Sequence, residues 1–87
     1  MVFCELSLLS HSANTKNQFE KRIQSVKSVM ECHHIAGSKD YLLKLVVEDI
    51  NAYQKVLNDE LATIPNIGQL NSSFVITEIK NSTKFEL

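Results

Sequence analysis

Apolar and polar residues alternate along the first residues of the chain. From Val2 to Leu9, the even positions carry the apolar side chains Val2, Cys4, Leu6 and Leu8. A repeat of two is typical of a strand that packs one face on a core. The pattern predicts strand one over residues 2–9, with Phe3 and Leu9 on the opposite face.

The next segment has a helical repeat. Phe19, Ile23 and Val26 follow one another at i, i+4 and i+7, with charged residues between them. Thr15 and Gln18 have the spacing of a capping box. We therefore predict an amphipathic helix from about Thr15 to Lys27 with one packed and one solvated face.

Two β-rich runs follow, at residues 29–36 and 40–48, joined by Gly37-Ser38-Lys39. A short link containing glycine between two such runs predicts an antiparallel hairpin, because Gly37 can adopt a positive φ. The second run places Leu42 and Val46 opposite its other apolar residues. That face is too apolar to remain wet, so we expect a second subunit's sheet to cover it.

A second helix is predicted to begin after the capping residue Asp49 and to be stopped by Pro65. Its apolar stripe comprises Ile50, Tyr53, Leu57, Leu61 and Ile64. Residues 66–68 then form a turn, and residues 70–80 a last strand. The order βαββαβ predicts an α+β, ferredoxin-like plait, in which two helices cover one face of a four-stranded antiparallel sheet.

Composition narrows the class of protein. The 87 residues are 44% hydrophobic and 22% charged, as expected of one globular domain spanning residues 1–87. A net charge of −1 without a basic cluster argues against direct nucleic-acid binding.

No apolar run reaches the length of a membrane span, and no basic leader precedes one, so we expect a cytoplasmic protein. Cys4 and Cys32 fit small buried residues better than a disulfide.

The stretch MECHHIAGSKDY, residues 30–41, contains residue types that could bind a metal, act as an acid or base, or form a turn. Cys32, His33 and His34 are zinc-ligand types, but neighbours on a strand point to opposite faces, and no second Cys or His pair has finger-like spacing. A general base at His33 or His34 lacks a nucleophile or acid at motif spacing. Gly37 and Asp40 also suit a simple turn. We expect no metal and no cofactor.

Several motifs in this chain resemble a known family when taken in order. They are Val29-x-Glu31-Cys32-His33, the Gly-x-x-Asp-Tyr-Leu-Leu hairpin of residues 37–43, Asp49-x-x-Ala-Tyr, Ile64-Pro65-x-Ile67, and the Ser-Ser-Phe-Val-Ile strand of residues 72–76. Together they resemble the ligand-binding and oligomerisation (RAM) domain of the Lrp/AsnC transcriptional regulators. The resemblance covers nearly the whole chain.

The resemblance implies a sheet-to-sheet dimer that assembles into an octamer or similar ring and binds a free amino acid between dimers near the hairpin tip. In the family a separate helix-turn-helix domain contacts DNA. The chain begins at the first strand of the ligand domain, so we expect a stand-alone relative or an excised domain without a DNA reader. A DNA-binding Lrp/AsnC regulator is the expected partner for any role in transcription.

The resemblance, together with the chemistry of a zwitterion, indicates candidate ligand residues at the hairpin and the neighbouring strand. Family hairpins often read Gly-Asp-aromatic-Asp, whereas this one reads Gly-Ser-Lys-Asp. Backbone N–H groups at the glycine turn and Lys39 suit a carboxylate, and Asp40 suits an ammonium. The full candidate set is Gly37, Ser38, Lys39, Asp40, Tyr41, Asn71, Ser72 and Ser73.

Three functions remain open on the sequence. The leading interpretation is an amino-acid-sensing and oligomerisation module that is not an enzyme. A small enzyme on a dimeric ferredoxin-like scaffold would be favoured by a closed pocket converging on His33 or His34. A ligand-free assembly module would be favoured by hairpin tips that never meet another subunit.

Overall fold

The computed structural model describes residues 1–37 and 39–81. Within these residues the elements follow the predicted βαββαβ order. They are β1 (Val2–Leu8), α1 (Ala13–Ile23), β2 (Val29–His34), β3 (Tyr41–Leu45), α2 (Ile50–Asp59) and β4 (Ile67–Phe74), with a short 3₁₀ helix, Leu61–Thr63, before β4.

In the described part of the chain, the strands form one antiparallel sheet in the order β2-β3-β1-β4. Strand β1 lies inside the sheet, where Cys4 faces Leu43 of β3 on one side and Ser72 of β4 on the other. This is the ferredoxin-like plait that the sequence predicts.

The core lies between the sheet and the two helices. The sheet contributes alternate residues of β1 and β3, which are Val2, Cys4, Leu6, Leu8, Tyr41, Leu43 and Leu45. Helix α1 adds Phe19 and Ile23, and α2 adds Tyr53. Burial of these apolar side chains is the main favourable term in folding a domain of this size.

The sheet surface on the other side from the helices is here called the open face. The remaining alternate positions of the strands point to it, namely Phe3, Glu5, Glu31, His33, Leu42, Lys44, Asn71 and Ser73. The predicted placement of Leu42 on this face is therefore confirmed. Val46 lies beyond the end of β3, and its side chain is exposed.

The start of α1 differs from the prediction. Ser12, not Thr15, is the N-cap: its Oγ accepts a hydrogen bond from Thr15 N at 3.2 Å and contacts Thr15 Oγ1 at 2.9 Å. Thr15 is buried inside the first turn, so the predicted capping box of Thr15 and Gln18 is wrong. The helix ends at Ile23 rather than near Lys27, and a turn then places Val26 in the core.

Helix α2 begins as predicted, because Asp49 Oδ1 accepts a hydrogen bond from Ala52 N at 2.7 Å. It ends at Asp59, before Pro65 can stop it. Ile50 is exposed and does not belong to the packed stripe, whereas Leu61 and Ile64 are buried beyond the helix.

The other strand boundaries also differ from the prediction. Strands β2 and β3 are shorter than their sequence runs, and β4 is shifted to begin at Ile67. No helix in residues 1–37 and 39–81 has the length and apolar character needed to cross a membrane.

Candidate functional site

The hairpin between β2 and β3 is tied to β1. Ile35 N donates to Asp40 O at 2.9 Å, and Asp40 N donates to Leu6 O at 3.0 Å. Gly37 has a φ of 143°, and a Cβ built there meets nothing within 4 Å. The glycine is therefore required by backbone conformation rather than by lack of space, as the hairpin pattern predicts.

Asp40 connects the hairpin tip to the end of β1. Its Oδ2 accepts a hydrogen bond from Leu8 N at 2.8 Å and lies 3.1 Å from His11 Nε2. The Leu8 N–H and then the nearby His11 favour the charged carboxylate, so the pKa of Asp40 is lowered from its ordinary value. The Asp40 carboxylate thus also has a structural role in the chain.

Lys39 crosses β1 and reaches β4. Its Nζ donates a hydrogen bond to Gln69 Oε1, and Gln69 N donates to Ser7 Oγ at 3.1 Å. Lys39 and Asp40 therefore present opposite charges from adjacent residues, and each is held by a different part of the chain. This arrangement brings a cation and an anion to the same end of the sheet.

The structure does not bring all of the predicted site residues together within one chain. Tyr41 is in the helix-covered core, where its hydroxyl donates to Glu20 Oε2 at 2.6 Å. The Ser72 hydroxyl is on that same side and is hydrogen-bonded to the Tyr53 hydroxyl. By contrast, Asn71 and Ser73 point to the open face, in register with Glu5 and Phe3 of β1. Ser38 lies outside the described residues.

Three residues near the tip were missed by sequence reasoning. His11, Gln69 and Ser7 contact the hairpin residues or one another from 29 to 62 positions away in the sequence. None of them belongs to a short motif with the hairpin. The only usable signal is their location, since His11 follows the end of β1 and Gln69 lies near the start of β4, and both of these strand ends are beside the hairpin.

The histidines considered as metal ligands or bases are separated by the sheet. His33 is exposed on the open face, and its Nε2 lies 3.1 Å from Glu31 Oε1. His34 stacks on Tyr41 at the helix-covered side, with ring centroids 4.9 Å apart. Among the residues that the structure describes, no three His, Cys, Asp or Glu side chains are grouped as metal ligands.

The comparisons with known proteins point to one family. The model of the Lrp/AsnC ligand binding domain matches residues 1–85. The leucine-responsive regulatory protein of Escherichia coli is 33% identical over 84 residues, which is 97% of this chain and 51% of that protein. The chain therefore spans about half the length of the curated relatives it matches.

Solved structures agree in fold. An AsnC family transcriptional regulator from Agrobacterium tumefaciens is 32% identical, with a TM-score of 0.86 over 98% of this chain and 55% of that one. A Neisseria meningitidis transcriptional regulator, solved as its L-Met complex, is 27% identical with a TM-score of 0.88 over the same shares. From the match over residues 1–85 and these relatives, the chain belongs to the Lrp/AsnC family, whose ligand-binding domain it contains.

Proposed function

We propose that this chain is an amino-acid-sensing and oligomerisation module that binds a free α-amino acid at the hairpin tip, between two dimers, without changing it chemically. The Neisseria meningitidis relative, solved with L-Met, supports an amino acid as the ligand class. The curated relatives are named as regulatory proteins, which favours a sensing role over catalysis.

The observation that carries the proposal is that the adjacent residues Lys39 and Asp40 have opposite charges and lie at the same end of the sheet. A zwitterion needs a cation for its carboxylate and an anion for its ammonium, and charge-assisted hydrogen bonds are stronger than neutral ones. Both contacts of the Asp40 carboxylate among the described residues use Oδ2. The other oxygen, Oδ1, is therefore proposed as the acceptor for the ammonium.

Two dimers meeting at the hairpin tips would exclude water from this site. Removal of water strengthens both charge pairs, because the local dielectric constant falls. Asn71 and Ser73, on the open face, are the β4 residues best placed to add hydrogen bonds from another subunit. Tyr41, in the core, and Ser72, on the helix-covered side of the sheet, are proposed to shape the site rather than to contact the ligand directly.

The assembly itself is proposed to begin with two open faces packed together. Phe3 is 38% exposed on this face, and Leu42, diagonally across from it on β3, is half-buried. A small domain gains much of its missing apolar burial by association, and closed twofold dimers are the commonest solution. Further contacts between dimers would then produce the octamer or similar ring.

A ligand-free assembly module is the second candidate, and one observation favours it. The Asp40 carboxylate already accepts the Leu8 N–H and contacts His11, so the tip has a structural explanation without a ligand. The two candidates differ in whether any amino acid stabilises the assembled protein.

A thermal-shift screen of the twenty common amino acids tests the proposal. A ligand that binds only the native protein stabilises it by RT ln(1 + [L]/Kd), about 2.7 kcal/mol at a hundredfold excess over Kd. We expect at least one amino acid at millimolar concentration to raise the unfolding midpoint of the wild type. An unchanged midpoint with all of them would favour the ligand-free module.

Asp40→Asn and Lys39→Met locate the site. Asparagine keeps an oxygen for the Leu8 N–H but cannot balance an ammonium, and methionine keeps the apolar stem of lysine without its charge. Both variants should lose the shift given by the effector. Glu48→Gln, an exposed charge change elsewhere, is the matched control. If Asp40→Asn responds as the wild type does, the tip is not the site.

A further inference from the structure

A cleft separate from the hairpin tip lies between α1 and β2. It has a volume of about 330 Å³, within the range of small-molecule sites, and is open on one side. Its walls are formed by Glu20, Ile23, Gln24, Cys32, His34 and Tyr41. This cleft is on the helix-covered side of the sheet, whereas the proposed amino-acid site is at the sheet end.

The charged group in the cleft is the Glu20 carboxylate. The Tyr41 hydroxyl donates to its Oε2 at 2.6 Å and so fixes its orientation. Glu20 takes part in none of the ion pairs found among residues 1–37 and 39–81. A half-buried carboxylate without a cation favours a positively charged ligand, because burial strengthens its interaction with an opposite charge.

Apart from the Gln24 amide, the rest of the lining is apolar or aromatic. Ile23 is buried, and the His34 ring stacks on Tyr41, which in turn contacts Phe19 with ring centroids 4.5 Å apart. Burial raises the pKa of the Cys32 thiol to about 11, with a further contribution from the Glu20 charge, so the thiol is neutral at pH 7. The cleft therefore presents one negative charge at an apolar wall.

We propose that this cleft binds an organic amine, with the ammonium on Glu20 and an alkyl chain against Ile23 and His34. The lining contains no lysine or arginine in the part of the chain that the structure describes. The carboxylate of an amino acid would have no cation there and would lie near a like charge. The cleft therefore selects amines without a carboxylate, in contrast to the proposed hairpin site.

The probes are n-pentylamine, norleucine and n-pentanol. Norleucine is pentylamine with a carboxylate on the carbon that bears the amino group, and pentanol has the same chain without the charge. Titrations followed by ¹H–¹⁵N NMR should give saturable shifts with pentylamine at residues 20–24 and 32–34. Norleucine and pentanol should each bind this cleft at least about tenfold more weakly, since a charge-assisted contact is lost or opposed.

Glu20→Gln keeps an oxygen for the Tyr41 hydroxyl and removes the charge. It should therefore weaken the binding of pentylamine at least about tenfold while leaving the fold intact. Glu48→Gln, at an exposed carboxylate outside both proposed sites, should bind pentylamine as the wild type does. Equal affinity in Glu20→Gln, equal binding of norleucine or pentanol, or no saturable shift in the cleft would overturn the inference. The amino-acid response of the wild type tests the hairpin site separately.

Discussion

At the scale of single residues, Asp40 has the most consequences for the molecule. Its carboxylate accepts the Leu8 N–H at the end of β1, and its backbone N–H donates to Leu6 O. The same side chain is our candidate for the ammonium of an effector. A residue that is both structural and ligand-binding couples the order of the hairpin tip to occupancy of the site.

The first prediction concerns the stability that Asp40 provides. Asp40→Ala leaves the Leu8 N–H without its acceptor, and an unpaired, partly buried donor costs about 1–3 kcal/mol. Asp40→Asn retains an acceptor and should cost less. Urea denaturation at neutral pH measures both values. Equal stability of Asp40→Ala and the wild type would show that the Leu8 contact contributes nothing.

The pH dependence of the same contact has a definite sign. The pKa of Asp40 is lowered in the folded protein, first by the Leu8 N–H and then by His11. A carboxyl with a lowered folded pKa stabilises the protein above its unfolded pKa, about 3.9, and this contribution is lost as the pH falls through the folded pKa. The stability difference between wild type and Asp40→Asn should therefore shrink as the pH falls below about 4. A difference that does not shrink there would contradict this assignment.

At the scale of the elements, the sequence predicts the strands and helices better than their ends. Alternation in β1 identifies its buried face because every second residue has the same environment. The start of α1 depends instead on which hydroxyl accepts a hydrogen bond from a backbone N–H. Ser12 does so, while Thr15 is buried inside the first turn. Ile50 has the spacing of the apolar stripe but is the first residue of α2, where its side chain is exposed.

The candidate site, too, is only partly predictable from the sequence. Gly37 and Asp40 are predictable because a tight hairpin needs a positive φ and hydrogen-bond acceptors near the turn. The contacts of Lys39 with Gln69 and of Asp40 with His11 depend on how β1 and β4 lie beside the hairpin, so only the tertiary structure identifies them. Alternation along β4 separates Ser72 from Asn71 and Ser73 once the register with β1 is known.

The second prediction tests the helix cap. Ser12→Ala removes the acceptor of the Thr15 N–H and should destabilise the protein by about 0.5–2 kcal/mol. Ser12→Asp should restore most of this loss, because aspartate is an equally good N-cap. Thermal unfolding of the variants checks both. Unchanged stability of Ser12→Ala would mean that the Thr15 N–H finds another hydrogen-bond acceptor.

At the scale of the whole molecule, one side of the sheet is covered by helices and the other is open. The open face combines apolar residues such as Phe3 and Leu42 with a charged group in which Glu31 lies 3.1 Å from His33 and 3.2 Å from Lys44. Such a mixed surface suits a specific interface better than nonspecific association, because charges must be matched as apolar area is buried.

The third prediction follows from the proposed packing of two open faces. Leu42→Glu places a charge at the centre of this interface without entering the helix-covered core. The solution mass should fall towards that of the monomer, while the far-UV circular dichroism spectrum stays unchanged. Gln54→Glu, at an exposed position of α2, is a control with an added charge away from the open face. An unchanged mass for Leu42→Glu would exclude the open face as the contact.

The fourth prediction concerns DNA. With a net charge of −1, this chain offers little attraction to phosphates, so it should bind duplex DNA only at the nonspecific background, and more weakly as salt rises. A role in transcription would then require assembly with a DNA-binding family member through the same contacts. Sequence-specific retardation of DNA by the purified 87-residue chain would contradict this prediction.

We propose that assembly and amino-acid binding are coupled in this domain. The most direct test is the solution mass by light scattering at micromolar concentration, with and without each amino acid. We expect an even multiple of the 9.9 kDa chain mass and a change in mass or in its concentration dependence with at least one amino acid. A monodisperse 9.9 kDa species that no amino acid alters would contradict it.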